Sequence, residues 1–419
     1  MTRRDRTWDI IVFGATGFTG ALVAEYLCQT YGVDQEVRWA IAGRNIQKLE
    51  RVRAELSVRH PDAASLTLLE ADSMQRASLD KLAQSAEVIC STVGPYVRYG
   101  AELVAACVQH QTDYCDLTGE SPFIRQMIDA HHDQASAEGT KIVHACGYDS
   151  IPSDLGVLLA QQAFHTQFGK LASEVHAVIG ATKGGFSGGT IASMIGVLDQ
   201  ARDPKQRRVI GNPYALNPKD GVRGLDESDL RRAQFDPTLQ RWVAPFVMAA
   251  INTRVVRRSH ALQDYPYGES FRYSESLGFR RGAKGMLQAK TSAFGLGVLV
   301  MLLMMKPTRT LLQRTLLPRP GQGPDREARQ RGYFKTRLLA VDGEDRCWVT
   351  VGDSLDPGYG STSKMLAESA VMLARHRDRL PQTSGILTPA VALGAPLIDQ
   401  LRSAGMTWQV EYPRSKSQD

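Results

Sequence analysis

The sequence predicts an α/β protein: a Rossmann-type, doubly wound parallel sheet with an inserted α+β domain that contains an antiparallel sheet. Three observations lead to this prediction. An apolar run near the start ends in glycines spaced three residues apart. Apolar segments then alternate with amphipathic ones up to about residue 155, which is typical of a parallel sheet covered by helices. Beyond that point the alternation stops, so residues 1–155, 156–354 and 355–419 are predicted to form three successive units.

The first of these features is WDIIVFGATGFTG, over Trp8–Gly20, which predicts a strand, a glycine turn and a helix. Gly14 permits the tight turn, Gly17 lets a pyrophosphate approach the backbone, and Gly20 allows helix and strand to pack closely. The helix N-terminus offers N–H groups and partial positive charge to phosphates. The alternative is an ordinary tight turn without a ligand. We expect the cofactor to contact the turn residues, which are Gly14, Ala15, Thr16, Gly17, Phe18, Thr19 and Gly20.

Five further strands are predicted in the first unit, over residues 37–42, 65–69, 87–93, 113–117 and 141–145. The carboxyl ends of such strands line the ligand crevice of an open parallel sheet. We therefore expect Val93, Gly94 and Pro95 to lie beside the cofactor. Asp72 follows the third strand, where it can either contact the edge of an adenine ring or cap the next helix.

Arg44 stands at the end of the second strand, where NAD enzymes carry an acidic residue that binds the ribose 2′-hydroxyl. A guanidinium instead suits a 2′-phosphate, which it binds through paired, charge-assisted hydrogen bonds. The position therefore predicts NADP(H) rather than NAD(H). The alternative is a solvated surface arginine.

The composition is that of a globular protein of 419 residues, 43% of them hydrophobic and 22% charged. A net charge of +6 favours acidic partners, but the basic residues are dispersed without interleaved aromatic residues, which argues against nucleic acid. No signal-peptide core follows the N-terminus. Six scattered cysteines without a CxxC pair indicate core thiols in a reducing compartment and no metal site. We therefore expect a cytoplasmic protein, either free or associated with a membrane.

The middle of the chain predicts a mixed domain. Its strands, of which the last two form a hairpin, are predicted over residues 174–181, 270–279, 334–341 and 346–351. Residues 183–190 (KGGFSGGT) form a glycine-rich loop, and residues 202–240 are interpreted as a polar surface excursion with short helices. The tail is expected to pack back on the dinucleotide domain, with helices over 362–375, 389–394 and 396–404 and a strand over 407–411.

One apolar segment stands out. Residues 293–305 (AFGLGVLVMLLMM) contain no charge, and Lys306 and Pro307 close the segment. As a helix it would rise about 20 Å, short of the roughly 30 Å hydrocarbon core of a bilayer. Three interpretations remain: a buried core helix, a surface that walls a lipid pocket or contacts a membrane, and a membrane span. Flanking basic residues suit anionic headgroups.

A series of motifs resembles one family along nearly the whole chain. They are GATGFTG, AGR, STVGPY, YCDLTGE, CGYDSIPSDLG, GGFSGGT, PGQGP, DPGYGSTSKMLAESA and ILTPAVALG. Together they resemble the saccharopine dehydrogenase-like oxidoreductases and, within that group, the bacterial trans-acting enoyl reductases of polyketide lipid synthesis. The resemblance implies an NADPH-binding Rossmann domain built from both chain ends. It also implies reduction of an α,β-unsaturated acyl thioester held on a carrier protein or polyketide synthase.

Such a reduction requires stabilisation of the enolate oxygen and a proton for the α-carbon. Tyr148 and Tyr96 are candidate proton donors. Lys183, or backbone N–H groups of residues 184–190, are candidates to stabilise the enolate. Each of these side chains can instead have a purely structural role. Asp149 and Asp154 are interpreted as caps of the turn or helix that follows.

Two other functions are compatible with the sequence. A saccharopine-type dehydrogenase acting on a C–N bond would need arginines that converge on a substrate with several carboxylates. The arginines of the polar excursion (Arg207, Arg208, Arg231 and Arg232) do not suit that role, and the segment near residue 300 is apolar. A non-enzymatic protein could keep NADP(H) as a redox-sensing or structural cofactor at a lipid surface.

Overall fold

The first domain is built on a seven-stranded sheet in which every strand pair is parallel. The computed structural model describes residues 6–184, 188–226, 228–315 and 323–413. The strands are β1 (Trp8–Phe13), β2 (Trp39–Gly43), β3 (Thr67–Glu70), β4 (Ala86–Ser91), β5 (Asp113–Asp116), β6 (Lys141–Val143) and β13 (Gly385–Leu387). Their order is β3-β2-β1-β4-β5-β6-β13.

All six strands predicted for this sheet are present, and the order of the first six is that of the Rossmann fold. The strand β13 was not predicted, because it has only three residues and reaches the sheet from the tail, where it pairs with β6. The helices of this domain are α1 (Phe18–Tyr31), α2 (Ile46–Ser57), α3 (Arg76–Ser85), α4 (Tyr96–Tyr99), α5 (Ala101–Gln109), α6 (Ser121–Ala137) and α7 (Ile151–Phe168).

The second sheet also has seven strands. They are β7 (Glu174–Lys183), β8 (Gln234–Asp236), β9 (Arg241–Pro245), β10 (Arg272–Phe279), β11 (Tyr333–Asp342), β12 (Asp345–Asp353) and β14 (Thr407–Glu411), in the order β14-β12-β11-β7-β10-β9-β8. The predicted hairpin is confirmed by β11 and β12, which meet at Gly343 with φ of +61°. The sheet is mixed rather than purely antiparallel, because β7 and β10 pair in parallel across a long helical connection.

The remaining helices lie in that connection, between β10 and β11, and in the tail. They are α8 (Gly188–Gln200), α9 (Pro204–Gly211), α10 (Ala249–Leu262), α11 (Ala283–Met304), α12 (Lys306–Thr315), α13 (Arg326–Gln330), α14 (Thr362–Arg375), α15 (Pro389–Ala392) and α16 (Gly394–Ser403). The apolar segment 293–305 therefore belongs to a longer helix, α11. Nothing before residue 293 breaks the helix, and Lys284 and Lys290 lie within it.

The helix α10 is almost entirely buried and anchors the polar excursion through three buried arginines. Arg254 forms an ion pair with Asp229, and Arg257 forms one with Asp226. Arg258 donates hydrogen bonds to two backbone carbonyls, one in the excursion and one in β13. These arginines therefore hold the excursion on the domain and are engaged with structural partners.

The tail links the two sheets. Helix α14 packs on α1, β4 and β5, and its buried Glu368 accepts hydrogen bonds from the Tyr26 and Tyr31 hydroxyls and from Gln400. The helices of the tail thus pack on the dinucleotide domain. The strand β14 does not, because it pairs along the open edge of β12 in the second sheet. There Trp408 is buried and the next residue, Gln409, is exposed.

Truncation of Trp408 should measure how strongly β14 ties the tail to the second sheet. We expect Trp408→Ala to lower the free energy of unfolding by about 3–5 kcal/mol, the usual cost of removing a large buried aromatic side chain. Gln409→Ala, on the opposite face of the same strand, should change it by less than about 0.5 kcal/mol. Denaturant titration of both variants tests this, and equal effects would contradict the anchoring role.

Candidate functional site

The turn after β1 requires glycine, without a side chain, at positions 14 and 20. Gly14 has φ of +94°, and its carbonyl oxygen accepts a hydrogen bond of 2.9 Å from the Gly17 N–H. A Cβ atom on Gly20 would lie 2.3 Å from that same oxygen, so any side chain there would displace α1. Helix α1 begins at Phe18, immediately after the turn. The turn thus points the N-terminus of α1 at the space that a bound phosphate would occupy.

The residues predicted to bind the adenosine end lie along the same edge of the sheet. Arg44 follows β2 directly, is exposed and forms no ion pair with a described residue, so its guanidinium is available to a phosphate. Thr16 lies beside Gly43, the residue before Arg44, because a Cβ atom on Gly43 would be 3.6 Å from the Thr16 methyl carbon. Asp72 follows β3 and accepts a hydrogen bond from the Met74 N–H, which makes it a turn cap rather than the N-cap of α3.

A cavity of about 880 Å³ begins at this turn and extends between the carboxyl ends of the first sheet and one face of the second. Its wall on the cofactor side comes from residues 17–20, from Thr92, Gly94, Pro95 and Tyr96, and from residues 147–149. Val93 is half-buried beside this wall. The opposite wall is almost wholly apolar and comes from β7, β10, α8 and α11, with Ile179, Leu277, Val197, Leu296 and Val300 among its members.

The loop after β4 is held in place by one buried carboxylate. Glu120 accepts hydrogen bonds from the N–H groups of Tyr96 and Val97 at 3.0 and 2.9 Å, and from the Ser193 hydroxyl of α8 at 2.9 Å. Burial raises the pKa of Glu120 above its usual value, although these donors oppose the shift. Glu120 therefore joins the cofactor-side loop to the substrate-side helix.

The two candidate tyrosines differ in what their hydroxyls can do. The Tyr96 ring lines the cavity, but its hydroxyl donates to the Ser91 carbonyl oxygen at 3.0 Å and is therefore already engaged. Tyr148 also lines the cavity, with its ring packed edge-on against Phe334 at 4.9 Å. Burial and the carboxylates of Glu275 and Asp149 raise the pKa of Tyr148 far above 10, so it stays neutral.

Lys183 is not brought to the cavity. It ends β7 with an exposed side chain, whereas its neighbours Thr182 and Gly184 line the cavity. Lys183 is therefore not among the described residues that line the cavity. Its role in stabilising an enolate stays a prediction. Residues 185–187 of the glycine-rich loop lie outside the described part of the chain.

The sequence predicts that Asp149 caps a turn or helix, but the structure places it in the wall of the cavity. It lines the cavity, and it forms no hydrogen bond with any described residue. Among the described lining residues it is the only one with an acidic or basic side chain. Burial raises the pKa of Asp149 to about 7. Asp154 is likewise no cap, because it accepts hydrogen bonds from Ser259 and from the Ala390 N–H and so ties α7 to α10 and α15.

A buried polar network lies directly behind Asp149. Ser150 has φ of +112° and donates a hydrogen bond of 3.1 Å to Asn252 of α10. Asn252 and Ser153 in turn donate to Oε1 of Glu275 on β10, at 3.0 and 2.9 Å. Burial raises the pKa of Glu275 to about 7. No periodic pattern in the sequence indicates this network, because its members come from three separate elements.

These features define the class of the protein. A Rossmann sheet whose glycine turn leaves room for a pyrophosphate, with an unpaired arginine in place of the acidic residue, defines an NADP-dependent oxidoreductase. In agreement, the family model for the saccharopine dehydrogenase NADP binding domain matches residues 10–143. The prediction of NADP(H) is thereby confirmed.

The chain belongs, more narrowly, to the trans-acting enoyl reductase family. It is 40% identical over 422 residues to the trans-acting enoyl reductase of Mycobacterium tuberculosis, covering 97% of this chain and 98% of that protein. It is 39% identical over 420 residues to the trans-acting enoyl reductase of Mycobacterium ulcerans, with the same coverage. Apo saccharopine dehydrogenase from Saccharomyces cerevisiae shares the fold, with a TM-score of 0.55 at 11% identity over 96% of this chain and 99% of that one.

Replacement of Arg44 should separate the two nicotinamide cofactors. A charge-assisted hydrogen bond contributes about 1.5–3 kcal/mol, so Arg44→Ala should weaken NADPH binding about 10- to 100-fold. NADH lacks the 2′-phosphate, so its affinity should change little. Arg51→Ala, which removes another exposed arginine from α2, serves as the control and should leave both affinities unchanged. Fluorescence titration of wild type and both variants with each cofactor measures these affinities, and equal losses of NADPH and NADH affinity in Arg44→Ala would exclude the 2′-phosphate contact.

Proposed function

We propose that this protein is a trans-acting enoyl reductase that uses NADPH to reduce an α,β-unsaturated acyl thioester intermediate of polyketide or complex lipid synthesis. The single observation that carries the proposal is the cavity: an apolar chamber at the carboxyl edge of the dinucleotide sheet with one acidic side chain in it. Family membership supports the same activity, because the relatives named above are trans-acting enoyl reductases.

The cavity suits an acyl chain better than a substrate with several charges. Its described lining contains no lysine, arginine or histidine that could neutralise a carboxylate, and an unpaired charge is costly to bury. A saccharopine-type substrate would bring several carboxylates into this space. Sites of this size with apolar walls and a few polar groups typically bind a mostly apolar ligand.

Asp149 is the proposed proton donor to the α-carbon of the substrate. Bound NADPH supplies the hydride to the β-carbon, and the α-carbon then needs a proton. A general acid works best when its pKa lies near the working pH. Asp149 meets this condition, because its half-buried side chain lines the cavity, desolvation raises its pKa to about 7, and no described residue forms a hydrogen bond with its carboxyl.

Tyr148 is proposed to donate a hydrogen bond to the thioester oxygen rather than to lose its proton. Its pKa lies too far above neutrality for efficient proton release, but a neutral phenol in an apolar site is a good donor to a developing enolate. Tyr96 is assigned a structural role, since its hydroxyl is bound to the Ser91 carbonyl. Tyr148 and Asp149, which are adjacent in the chain, then act on the oxygen and the α-carbon that are both bonded to the thioester carbonyl carbon.

The substrate is proposed to arrive as a thioester on a carrier protein or polyketide synthase. A net charge of +6 suits an acidic carrier, and the six buried, unpaired thiols suit a reducing cytoplasm. The segment 293–305 is proposed to add a lipid-contacting surface. Its inward side chains Leu296 and Val300 line the cavity, while Phe294 and Met301 point outward and are exposed.

The proposed activity is tested by following NADPH oxidation with two sets of substrates. We expect turnover with 2-enoyl thioesters of both coenzyme A and an acyl carrier protein, with higher kcat/KM for longer acyl chains. Saccharopine with NADP⁺ should give no reaction, because no cavity-lining cation among the described residues could bind its carboxylates. Turnover of saccharopine would establish the amino-acid dehydrogenase instead. Binding of NADPH without turnover of any substrate would favour a non-enzymatic role.

Substitution of Asp149 tests its role as the acid. The protonated form donates, so the wild-type rate should be high below pH 7 and fall as the pH rises through about 7. Asp149→Asn should lower kcat about 100- to 10,000-fold, the usual contribution of a general acid, and should lose this pH dependence. Binding of NADPH should persist. Ser292→Ala, which removes a polar atom from the far wall, is the matched control.

In deuterium oxide the same variant gives a second readout. Wild-type protein should deliver the solvent-derived deuteron to one face of the α-carbon, because a fixed side chain delivers it. In Asp149→Asn, residual product should be labelled on both faces, since water then supplies the deuteron. Single-face labelling at an unchanged rate would show that another group is the acid.

A further inference from the structure

Helix α11 has two apolar faces. On its inner face Leu303 is buried against Ile191 and Ile195 of α8, and Leu296 and Val300 line the cavity. The outer face carries large apolar side chains that no described residue covers. These are Leu287, Phe294, Met301 and Met304, followed by Met305 and by Leu311 of α12; Phe294 is 74% exposed and Leu287 66%. The helix is thus a single layer between the cavity and the outside.

The exposed stripe is continuous along the helix. Residues 287, 294, 301 and 304 are separated by seven, seven and three positions, which places them on one side of an α-helix. Exposed apolar patches of this extent, bordered by polar residues, mark interaction sites on soluble proteins. Their methionines add a polarisable, adaptable surface that suits a partner without fixed shape.

The charged residues of the chain segment that carries the stripe all have one sign. Residues 276–324 contain eight arginines and lysines and no aspartate or glutamate. Arg280, Arg281 and Lys284 lie at the start of α11 and Lys306 follows its end; all four are exposed and form no ion pair with a described residue. A basic border around an apolar face is the pattern of a helix that lies in a membrane interface, where anionic headgroups meet acyl chains.

We propose that α11 lies in the plane of an anionic membrane surface, with its outer face among the acyl chains and its terminal cations at the headgroups. Resting on the proposed function, the second part of the proposal is that the acyl chain of the substrate enters the cavity past α11 without crossing water. We favour a bilayer rather than a second protein as the partner of this face. The apolar stripe suits the acyl chains of a bilayer, and the cations at the ends of α11 suit its anionic headgroups.

A transmembrane orientation fits the structure less well. By length and composition α11 could cross a bilayer, since it has 22 residues. However, its inner face holds Leu303 and Ala289, both completely buried in the domain, and lines the cavity. If α11 crossed the bilayer, it could no longer form this wall of the cavity. If α11 lies in the membrane interface, it contacts lipid only through its outer face, which is already exposed.

The test compares vesicles of phosphatidylcholine alone with vesicles that also contain phosphatidylglycerol, using flotation of the full-length protein. We expect binding to the anionic vesicles that weakens as salt increases. The double variant Phe294→Glu/Met301→Glu should bind them about tenfold more weakly or worse, because it places two carboxylates in the acyl layer. Met74→Glu, which makes the same change at a residue 66% exposed on the dinucleotide domain, should bind like wild type.

Activity and assembly measurements make the outcome decisive. The double variant should keep its melting temperature and its kcat/KM for a short, water-soluble enoyl thioester, and should lose rate only with a long-chain substrate presented in vesicles. No flotation of wild type, equal flotation with neutral vesicles, or unchanged flotation of the double variant would overturn the proposal. Dimerisation that the same double variant abolishes, without vesicle binding, would assign the face to a second copy. Flotation without any reductase turnover would refute the proposed function and leave the membrane contact standing.

Discussion

The close contact between α1 and the turn after β1 is the constraint on which the rest of the structure depends. Because Gly20 has no side chain, the helix can pass within van der Waals distance of the Gly14 carbonyl, where a Cβ atom would lie 2.3 Å from the oxygen. This contact aims the helix N-terminus at the cavity and sets the position of the α1 surface. Helix α14 packs on that surface and brings Glu368 to Tyr26 and Tyr31. The position of α1 therefore determines both the cofactor site and the packing of the tail helix α14.

The second sheet converts this cofactor edge into a reaction chamber. Ile179 and Leu277, paired across β7 and β10, present apolar side chains to the space at the ends of the first sheet. The apolar lining also desolvates the Asp149 carboxyl, and this desolvation alone raises its pKa. In the proposed function, the preference for an apolar substrate and the strength of the proposed acid both follow from the low polarity of the lining.

Much of this arrangement could be predicted from the sequence because it depends on short-range patterns. The glycine spacing, the strand after it and Arg44 follow from backbone sterics and from one charge at a strand end. The side on which Lys183 points could not be predicted, because a shift of one residue in the strand register reverses it. The burial of the three arginines of α10 could not be predicted either. It depends on Asp226, Asp229 and carbonyl groups that are distant in sequence.

Asp149 shows most clearly why the candidate site could not be predicted from the sequence alone. In the sequence it precedes Pro152 and a helix, and an aspartate in that position is ordinarily a cap. In the structure the backbone turns sharply at Ser150, whose φ of +112° is costly for a residue with a side chain. The hydrogen bond from Ser150 to Asn252, itself bound to Glu275, holds that conformation. The strained turn places Asp149 in the cavity wall instead of at the helix end, so the buried network positions the residue that we propose as the acid.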